Sequence, residues 1–577
     1  PMPSSPAALR ALFALSSLSV FSLAWTGCTT SSAATAPASA SGSASVSGRF
    51  DIRAFGATGD GHTIDSAAIN RAIDAAAAAG GGTVYFPAGT YASYSVRLKS
   101  NVGLYLDHGA TLLAAEPPAV GMPGGYDEPE PNQWDKYQDF GHTHWHNSLI
   151  WGENLENISI TGPGRIFGKG LSRGQGMRKD PLPGEPRPAP VARVTNQAPG
   201  AGGSGGAFTA DTPFGYPSAT DTLPAGVGNK AIALKNCRNV IFRDFTIYHG
   251  GHFAILATGV DNWTCDGLKI DTNRDGIDFD SCQNVRVANC SVNSPNDDAI
   301  CPKSSFGLGY PRPAENITIT NCQVSGFDEG TFLDGTRQRS RTGGGTGRIK
   351  CGTEGNGGFR NLTISNCVFE FCRGFALEEV DGGPMEDITV TNLSMRDIGN
   401  SPIFVRLGAR LRGPSPIAVG TARRIKIDNV VAHNVAAQGG ILIAGLADHP
   451  IEDLSLSNIF IDYVGGGTKE QGERVVEEYE KEYPEPGRFG TLPSWGLWAR
   501  HVKNFSVSHV EFRAAKDDFR PVAILDDVTA ASIDHVTLPA AAGANHLVLR
   551  NVNGVSVSNS TGLRDLHRDG RMDVDML

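Results

Sequence analysis

An alternation of apolar and polar residues, introduced each time by Asn or Asp, recurs along most of the chain. One example is Asn157-Ile158-Ser159-Ile160. The same phrase returns at 239–242, 284–287, 316–319, 361–364, 387–390, 453–456 and 504–507. The shortest intervals are roughly 26 to 32 residues, near the repeat length of solenoid proteins. Alternation indicates strands with one buried face, and no helical pattern separates them, so stacked strands are favoured over βαβ units.

These repeats predict an all-β fold, a right-handed parallel β-helix. Residues 50–115 precede the repeats and predict an entrance module. Ala and Ile recur at helical spacing over Asp65–Ala79, and three glycines from Gly80 end this helix. A strand and a turn follow over Thr83–Tyr91. We expect the short N-terminal helix to cap the first coil, which otherwise exposes an open edge.

The first 28 residues predict a targeting segment. Arg10 precedes an apolar run, Leu12–Trp25, that is too short to span a membrane. The run ends in Trp25-Thr26-Gly27-Cys28, which resembles a bacterial lipoprotein box, although Leu usually stands where Trp25 is. One interpretation is a lipid anchor on Cys28, and the other is cleavage that releases a free protein. Both predict export, so the protein is expected to be periplasmic, anchored to the outer membrane or secreted.

A single β-helix domain is predicted over 49–568, after a Ser/Ala-rich tether at 29–48 and before a C-terminal tail at 569–577. Two stretches interrupt its coils. One, near 179–228, is rich in Pro and Gly. It is interpreted either as the rim of a binding groove or as a disordered surface insertion. The other, near 464–490, contains a charged segment with the pattern of a short helix.

Charge and cysteine content narrow the class of partner. The net charge of -10 argues against nucleic acid, whose phosphates need a basic face. An acidic polysaccharide would therefore be held by a few local Arg or Lys side chains. Cys290, Cys322 and Cys367 each follow an Asn at the same point of a repeat, which favours an interior row over disulfides or zinc. We expect no cofactor, no metal and a monomer.

Two neighbouring coils are unusually acidic. They read Asn273-Arg274-Asp275-Gly276-Ile277-Asp278 and Asn296-Asp297-Asp298-Ala299-Ile300. A separation of roughly 22 residues is one coil, so the carboxylates should stack about 4.8 Å apart. Carboxylates this close raise one another's pKa, so that one stays protonated while another stays charged. Glycoside hydrolysis by a general acid and an activated water requires this pair of states. A calcium site and Asx turns remain the alternatives.

The stretch from Phe50 to about Met395 resembles glycoside hydrolase family 28, the polygalacturonases and their relatives. The family's Asn-Thr-Asp-Gly motif is matched from Asn273, with Arg274 in place of Thr. Its Gly-Asp-Asp motif is matched by Asn296-Asp297-Asp298, with Asn in place of Gly. The resemblance implies that Asp297 is the general acid, that Asp275 and Asp298 activate the water, and that the anomeric centre is inverted. Adjacent strand residues face opposite sides, so Asp297 and Asp298 together imply a bend.

The chain departs from the family at its carboxylate-binding motifs. No histidine matches the family's Gly-His-Gly, since the chain reads Phe327-Asp328-Glu329-Gly330 there. The letters Arg348-Ile349-Lys350 match the family's carboxylate-binding tripeptide. Counting coils instead aligns the Arg and Lys of that tripeptide with Ala376 and Glu378. We favour this alignment because the position of a residue in a β-helix is set by the coil to which it belongs. Glu378 would then face the sugar, and Lys350 would lie one coil earlier, outside the reacting subsite.

The histidines add candidates for the groove. His142, His144 and His146 alternate, which predicts three imidazoles on one face with sugar-contacting or structural roles. His249 and His252 flank two glycines one coil before Asp275. The candidate substrate-binding residues are Asn273, His252, Lys303, Glu378, Arg348, Lys350 and His146.

The predicted function is hydrolysis of a pectin-like polysaccharide or oligosaccharide, with exo action favoured because long insertions close one end of a groove. A β-helix polysaccharide lyase is the first alternative, and such lyases pair calcium-binding acids with an Arg or Lys base. A non-catalytic carbohydrate-binding β-helix is the second. In each case the expected partner is a saccharide.

Overall fold

A computed structural model describes residues 48–119, 121–139, 141–173, 223–339, 345–436 and 438–577. The predicted targeting segment and most of the tether, together with residues 179–222 of the first insertion, lie outside these ranges. The α-helices are α1 (Ser66–Ala78) and α2 (Lys469–Gly472), and short 3-10 helices span Ile52–Phe55, Asp135–Tyr137 and Pro486–Phe489. The strands are β1 (Arg49–Asp51), β2 (Asp60–Ile64), β3 (Gly82–Phe86), β4 (Gly89–Ser93), β5 (Val96–Arg97), β6 (Val102–Leu106), β7 (Ala110–Ala114), β8 (Ser148–Glu153), β9 (Glu156–Thr161), β10 (Arg165–Phe167), β11 (Lys230–Lys235), β12 (Arg238–Arg243), β13 (Thr246–Tyr248), β14 (Phe253–Thr258), β15 (Asp261–Asp266), β16 (Lys269–Asp271), β17 (Asp275–Asp280), β18 (Gln283–Ala288), β19 (Ser291–Asn293), β20 (Ile300–Lys303), β21 (Ala314–Thr320), β22 (Gln323–Ser325), β23 (Ile349–Cys351), β24 (Phe359–Glu370), β25 (Phe375–Glu379), β26 (Pro384–Ile398), β27 (Ile403–Leu407), β28 (Thr421–Val435), β29 (Ile441–Ala444), β30 (Ile451–Gly465), β31 (Leu497–Lys516), β32 (Ala523–Asp534), β33 (Leu547–Ser558) and β34 (Leu566–Met576).

Strands from successive coils pair in parallel and form three columns. The first column runs β8, β11, β14, β17, β20, β23, β25 and β27. The second runs β9, β12, β15, β18, β21, β24 and β26, and the third runs β7, β10, β13, β16, β19 and β22. The predicted parallel β-helix is confirmed. The acidic stretches lie in the first column, on β17 and immediately before β20.

The recurring Asn is explained by the turn that joins two columns. Asn157, Asn239 and Asn262 all adopt left-handed backbone conformations, with φ of 56°, 56° and 54°. Asn tolerates this region better than most residues. Asn239 donates to the Asn157 side chain at 2.9 Å, and Asn262 donates to Asn239 at 2.9 Å. The repeated phrase is therefore a hydrogen-bonded ladder along the solenoid.

Apolar residues fill the interior of the solenoid. Ile232, Ile255, Ile277 and Ile300 stack in register on successive coils and are fully buried. All nine cysteines in the described ranges are free and buried. Those of the repeats form a row, since Cys290 is in hydrogen-bonding contact with the cysteines of the coils before and after it. The predicted interior row is confirmed.

Both ends of the solenoid are covered. Helix α1 buries Ile69, Ala72 and Ile73 against the first coil, so the predicted capping helix is confirmed. The prediction of a C-terminal tail at 569–577 is wrong, because these residues form most of β34, which pairs antiparallel with β33. Pairing satisfies the open edge of the last parallel strand. In the part of the chain that the structure describes, no helix has the length and apolar character needed to cross a membrane.

The second insertion is ordered and packs on the outer face of the first column. Of the charged segment 469–479, only the four residues of α2 are helical, fewer than the charged pattern predicted. Val476, Phe489 and Leu492 bury themselves in an apolar cluster with Phe404 and Trp498. This packing places the end of the insertion beside the acidic coils.

Candidate active site

Three aspartates converge where β17 begins and where the chain enters β20. One carboxylate oxygen each from Asp275, Asp297 and Asp298 lies within 4.8 Å of the others. Asp297 and Asp298 precede β20 in a bend, as the sequence implied for two adjacent residues that share a site. Gly276 donates its N–H to the Asp298 carbonyl at 3.0 Å and holds the bend against β17. A Cβ at Gly276 would meet the carbonyl oxygen of Ala299 at 2.4 Å, so this position requires glycine.

Asp298 is held as an anion by two cations. Arg348 donates through Nε to one carboxylate oxygen at 2.8 Å, and Lys350 Nζ lies 2.5 Å from the other. Burial alone would raise the pKa of Asp298, but Lys350 and Arg348 outweigh it and hold the pKa well below its usual range. Asp298 therefore stays ionised, and each of its oxygens keeps a lone pair that can accept a hydrogen bond from water.

The pKa values of Asp275 and Asp278, both on β17, are raised. Burial, followed by the charges of Asp278 and Asp297, raises the pKa of Asp275 well above its usual range. Burial also raises the pKa of Asp278, to about 7, although Lys303 Nζ lies 3.3 Å away and opposes the shift. The cluster thus contains both protonated and charged carboxyl groups, the division that the sequence predicted for acid–base chemistry.

Asp297 differs from its two neighbours in exposure and in partner. Its side chain is 21% exposed, whereas Asp298 is 1% exposed and Asp275 is 2% exposed. Arg274, which stands where the family carries Thr, lies 2.5 Å from Asp297 through Nη2. Of the three carboxyl groups, Asp297 is the one that a glycosidic oxygen can reach from solvent.

Strand pairing settles the coil order of the basic tripeptide. Ile349 lies beside Ile300 on one side and Phe375 on the other, so Arg348 and Lys350 belong to the coil after Asp298. Glu378 belongs to the following coil, as coil counting predicted. Although Lys350 lies one coil before Glu378, its long side chain reaches Asp298 of the acid cluster.

Glu378 lies beneath the site and not at its surface. Its side chain is fully buried, with Oε1 3.6 Å from Nη2 of Arg348. Among the described residues, neither of its oxygens has a hydrogen-bond partner. Burial raises the pKa of Glu378 to about 8 despite Arg348 and Lys350. The expectation that Glu378 accepts a hydroxyl of the sugar is not met in this conformation, because the side chain has no exposed surface.

Three site residues escaped the sequence analysis. Glu485 accepts from Arg348 at 2.6 Å and lies 3.3 Å from Nη1 of Arg373, which is on the coil of Glu378. Lys350 contacts the hydroxyl of Tyr483 at 3.4 Å. Tyr483 and Glu485 come from the second insertion, 133 and 137 residues along the chain from Lys350 and Arg348. The only signal for them was the general expectation that an insertion on a solenoid forms a groove rim.

The remaining candidates have mainly positioning contacts. The Asn273 carbonyl accepts from the Asn296 N–H at 3.1 Å and ties the two acidic loops together. His252 is buried and donates through Nδ1 to the Arg173 carbonyl at 2.9 Å. Burial, then Arg274, lowers the pKa of His252 well below its usual range, so the ring stays neutral. Lys303 lies between Asp278 and the carboxylate of Glu354, which is 3.5 Å away.

The three alternating histidines do not share a site. His142 is buried 3.9 Å from Asp278, and burial lowers its pKa to about 4. His144 pairs with Asp135 at 3.1 Å. His146 stacks on Trp151 with ring centroids 4.0 Å apart, and Trp151 lies three strands from Asp278, about 14 Å at the usual strand spacing. The prediction of a common face is wrong because residues 141–147 form turns instead of a strand.

The aspartate cluster has the donor type that Ca²⁺ prefers. Arg348 and Lys350, however, already engage both oxygens of Asp298. Two carboxylates then remain, one of which is paired with Arg274, whereas Ca²⁺ takes six to eight oxygen ligands. The donor set therefore fits acid–base chemistry better than a cation site.

Family models match two parts of the chain. Residues 50–113 match a model described as rhamnogalacturonase A/epimerase, pectate lyase-like, and residues 225–344 match a right-handed β-helix region. The first contains the entrance module, and the second contains all three aspartates.

Curated and solved relatives agree with these matches. The chain is 29% identical over 299 residues to an exo-poly-α-D-galacturonosidase of Dickeya chrysanthemi, an alignment covering 47% of this chain and 45% of that enzyme. The aligned region thus spans less than half the length of that relative. A family 28 exopolygalacturonase of Yersinia enterocolitica superposes with a TM-score of 0.56 at 19% identity, covering 85% of this chain and 78% of the other. An exopolygalacturonase of Thermotoga maritima gives a TM-score of 0.51 at 17% identity, covering 92% and 95%. The two superpositions bear on the fold alone.

Proposed function

We propose that the chain, which is similar to an exo-poly-α-D-galacturonosidase, hydrolyses glycosidic bonds of a pectin-like polysaccharide or oligosaccharide. The observation that carries the proposal is the aspartate cluster, in which an anion, a group with a raised pKa and a partly exposed carboxyl lie within 4.8 Å. Hydrolysis of a glycoside needs a proton donor for the leaving oxygen and a base for water.

The exposed position of Asp297 supports the role of general acid. It donates its proton to the glycosidic oxygen as the bond to the anomeric carbon breaks. Asp298, kept ionised by Arg348 and Lys350, orients the attacking water and takes its proton. Asp275, whose pKa is raised by burial, donates a hydrogen bond to that water.

The stereochemistry is a separate part of the proposal. Inverting glycosidases usually separate their carboxyl groups by about 6.5 to 9.5 Å, whereas retaining enzymes use about 5 to 5.5 Å. The nearest oxygens here lie within 4.8 Å. We nevertheless propose inversion, which rests on the family resemblance and not on the spacing. Proton NMR of the first-formed anomer tests it directly.

The substrate, mode of attack and location are proposed at the same level. A pectic saccharide and exo action both fit the exo-poly-α-D-galacturonosidase to which the chain is similar. Contacts of Tyr483 and Glu485 with Lys350 and Arg348 bring the second insertion to the site, where it can limit the length of saccharide bound beyond the cleaved bond. The targeting segment favours export, to the periplasm, the outer membrane or the medium.

The defining experiment replaces Asp297 with Asn and follows turnover of defined pectic oligosaccharides, charged and neutral, by mass. We expect Asp297→Asn to lose at least two orders of magnitude in rate on substrates with poor leaving groups, because general acid catalysis contributes about that much. Asp448→Asn, an exposed aspartate between β29 and β30, is the matched control and should retain activity. Normal turnover by Asp297→Asn would remove the assignment.

A further inference from the structure

A carboxylate of the protein itself occupies the basic side of the site. The carboxylate of Glu485 bridges two guanidinium groups from successive coils, 2.6 Å from Arg348 Nη2 and 3.3 Å from Arg373 Nη1. Both arginines are largely buried. Two converging guanidinium groups commonly bind a carboxylate. In this protein the carboxylate bound there is the side chain of Glu485.

Glu485 is held by a rigid part of the second insertion. It is followed by Pro486, the first residue of the 3-10 helix Pro486–Phe489, whose fixed backbone limits movement. Phe489 packs against the rings of Phe404 and Trp498, with centroids 6.2 Å and 6.1 Å away. Arg406 donates to the carbonyl of Glu478 at 2.8 Å. These contacts make Glu485 a fixed wall residue and not a loose flap.

The charge balance around Arg348 follows from this arrangement. Arg348 has Asp298 on Nε and Glu485 on Nη2, while Glu378 approaches from below at 3.6 Å. Arg348, Arg373 and Lys350 then share the ionised carboxylates of Asp298 and Glu485. A carboxylate on the substrate would have to displace Glu485 or enter beside two anions. An uncharged hydroxymethyl or methyl group meets no such penalty.

We propose that Glu485 is a specificity-determining residue that occupies a carboxylate-binding site, so that the subsite beside Asp298 takes a neutral sugar and excludes a uronic acid. The substrate class rests on the proposed hydrolase function. The occupied carboxylate site does not, and can be tested without turnover.

The first test is carboxylate rescue of folded stability. In Glu485→Ala the two guanidinium groups lose their shared anion, and added acetate can replace it. The melting temperature of Glu485→Ala should rise by a few degrees in sodium acetate relative to sodium chloride at equal ionic strength. Wild type and Glu482→Ala, an exposed carboxylate of the same insertion, should melt equally in both salts. No difference between the salts for Glu485→Ala would overturn the proposal.

The second test compares D-galacturonate with D-galactose, which differ only in the carboxylate. By calorimetry, Glu485→Ala should gain about tenfold or more in affinity for galacturonate, the size of one charged hydrogen bond, and nothing for galactose. Glu485→Gln keeps the side-chain volume and removes the charge, so wild-type discrimination against galacturonate should weaken there too. Wild type that binds galacturonate as tightly as both variants do would refute the assignment.

The two tests separate this proposal from the hydrolase function. Acetate-dependent melting of Glu485→Ala in a protein that cleaves no saccharide would refute the hydrolase and leave the occupied carboxylate site standing. An active hydrolase with an unchanged galacturonate-to-galactose ratio in Glu485→Ala and Glu485→Gln would refute only the role of Glu485.

Discussion

At the level of single residues, the site is defined by which carboxyl groups have cations beside them. Asp298 has two, Arg348 and Lys350, and is ionised. Asp275 and Glu378 are equally buried, but their cationic neighbours do not offset the cost of burying a charge, so their pKa values rise. Chemically identical or similar groups thus acquire different protonation states within one cluster.

Asp298→Asn should therefore damage stability as well as catalysis. Removing the anion leaves Lys350 buried without its main counter-charge and leaves Arg348 with Glu485 as its nearest carboxylate, and breaking a buried pair costs about 3–5 kcal/mol. Asp297→Asn should cost less, because the Asp297 side chain is partly exposed. Denaturant unfolding of both variants measures the difference, and equal losses would contradict the burial argument.

Glu378 should make stability depend on pH. Its ordinary pKa of 4.5 is raised to about 8 in the folded protein, so the folded state binds a proton that the unfolded chain releases. The free energy of unfolding should therefore fall as pH rises through this interval, since the unfolded state holds fewer protons. Glu378→Gln should flatten the dependence between about pH 5 and about pH 8. An identical slope in wild type and Glu378→Gln would contradict the assignment.

Among the elements, the turn ladders explain how much of the fold the sequence could predict. Each Asn of the repeated phrase has a left-handed backbone conformation at a turn between columns. The positions of the repeat in the sequence therefore predicted the successive coils. One coil of separation also predicted that Asp275 would meet Asp297 and Asp298. The same logic misplaced His142, His144 and His146, since alternation was taken for a strand where the chain turns.

The ladders offer a matched pair of variants. Asn392 has φ of 57°, donates to Asn366 at 2.9 Å and accepts from Asn429 at 2.6 Å. Asn392→Ala should lose about 1–3 kcal/mol of unfolding free energy, from the hydrogen bonds and from left-handed strain. Asn392→Gly loses the bonds without the strain and should be less affected. If denaturant unfolding gave Asn392→Ala the same free energy of unfolding as Asn392→Gly, backbone strain would not contribute to the loss of stability.

Across the whole molecule, contacts between residues far apart in the chain were the ones that the sequence did not predict. The resemblance inferred from the motifs agrees with the 29% identity to an exo-poly-α-D-galacturonosidase, and the solenoid and its N-terminal cap followed from local patterns. The contacts of Glu485 and Tyr483 depend on where an insertion folds back on Arg348 and Lys350, 137 and 133 residues away, which no local pattern encodes. The mistaken tail at 569–577 has the same origin, because β34 is defined by its partner β33.

Hydrolysis of a glycosidic bond through Asp297 can be followed in water labelled with heavy oxygen. Wild type incubated with defined pectic oligosaccharides should release saturated products that carry one heavy oxygen at the new reducing end, and Asp297→Asn should release almost none. A lyase would instead release unlabelled products that are lighter by one water and absorb in the near ultraviolet. Such products would contradict hydrolysis.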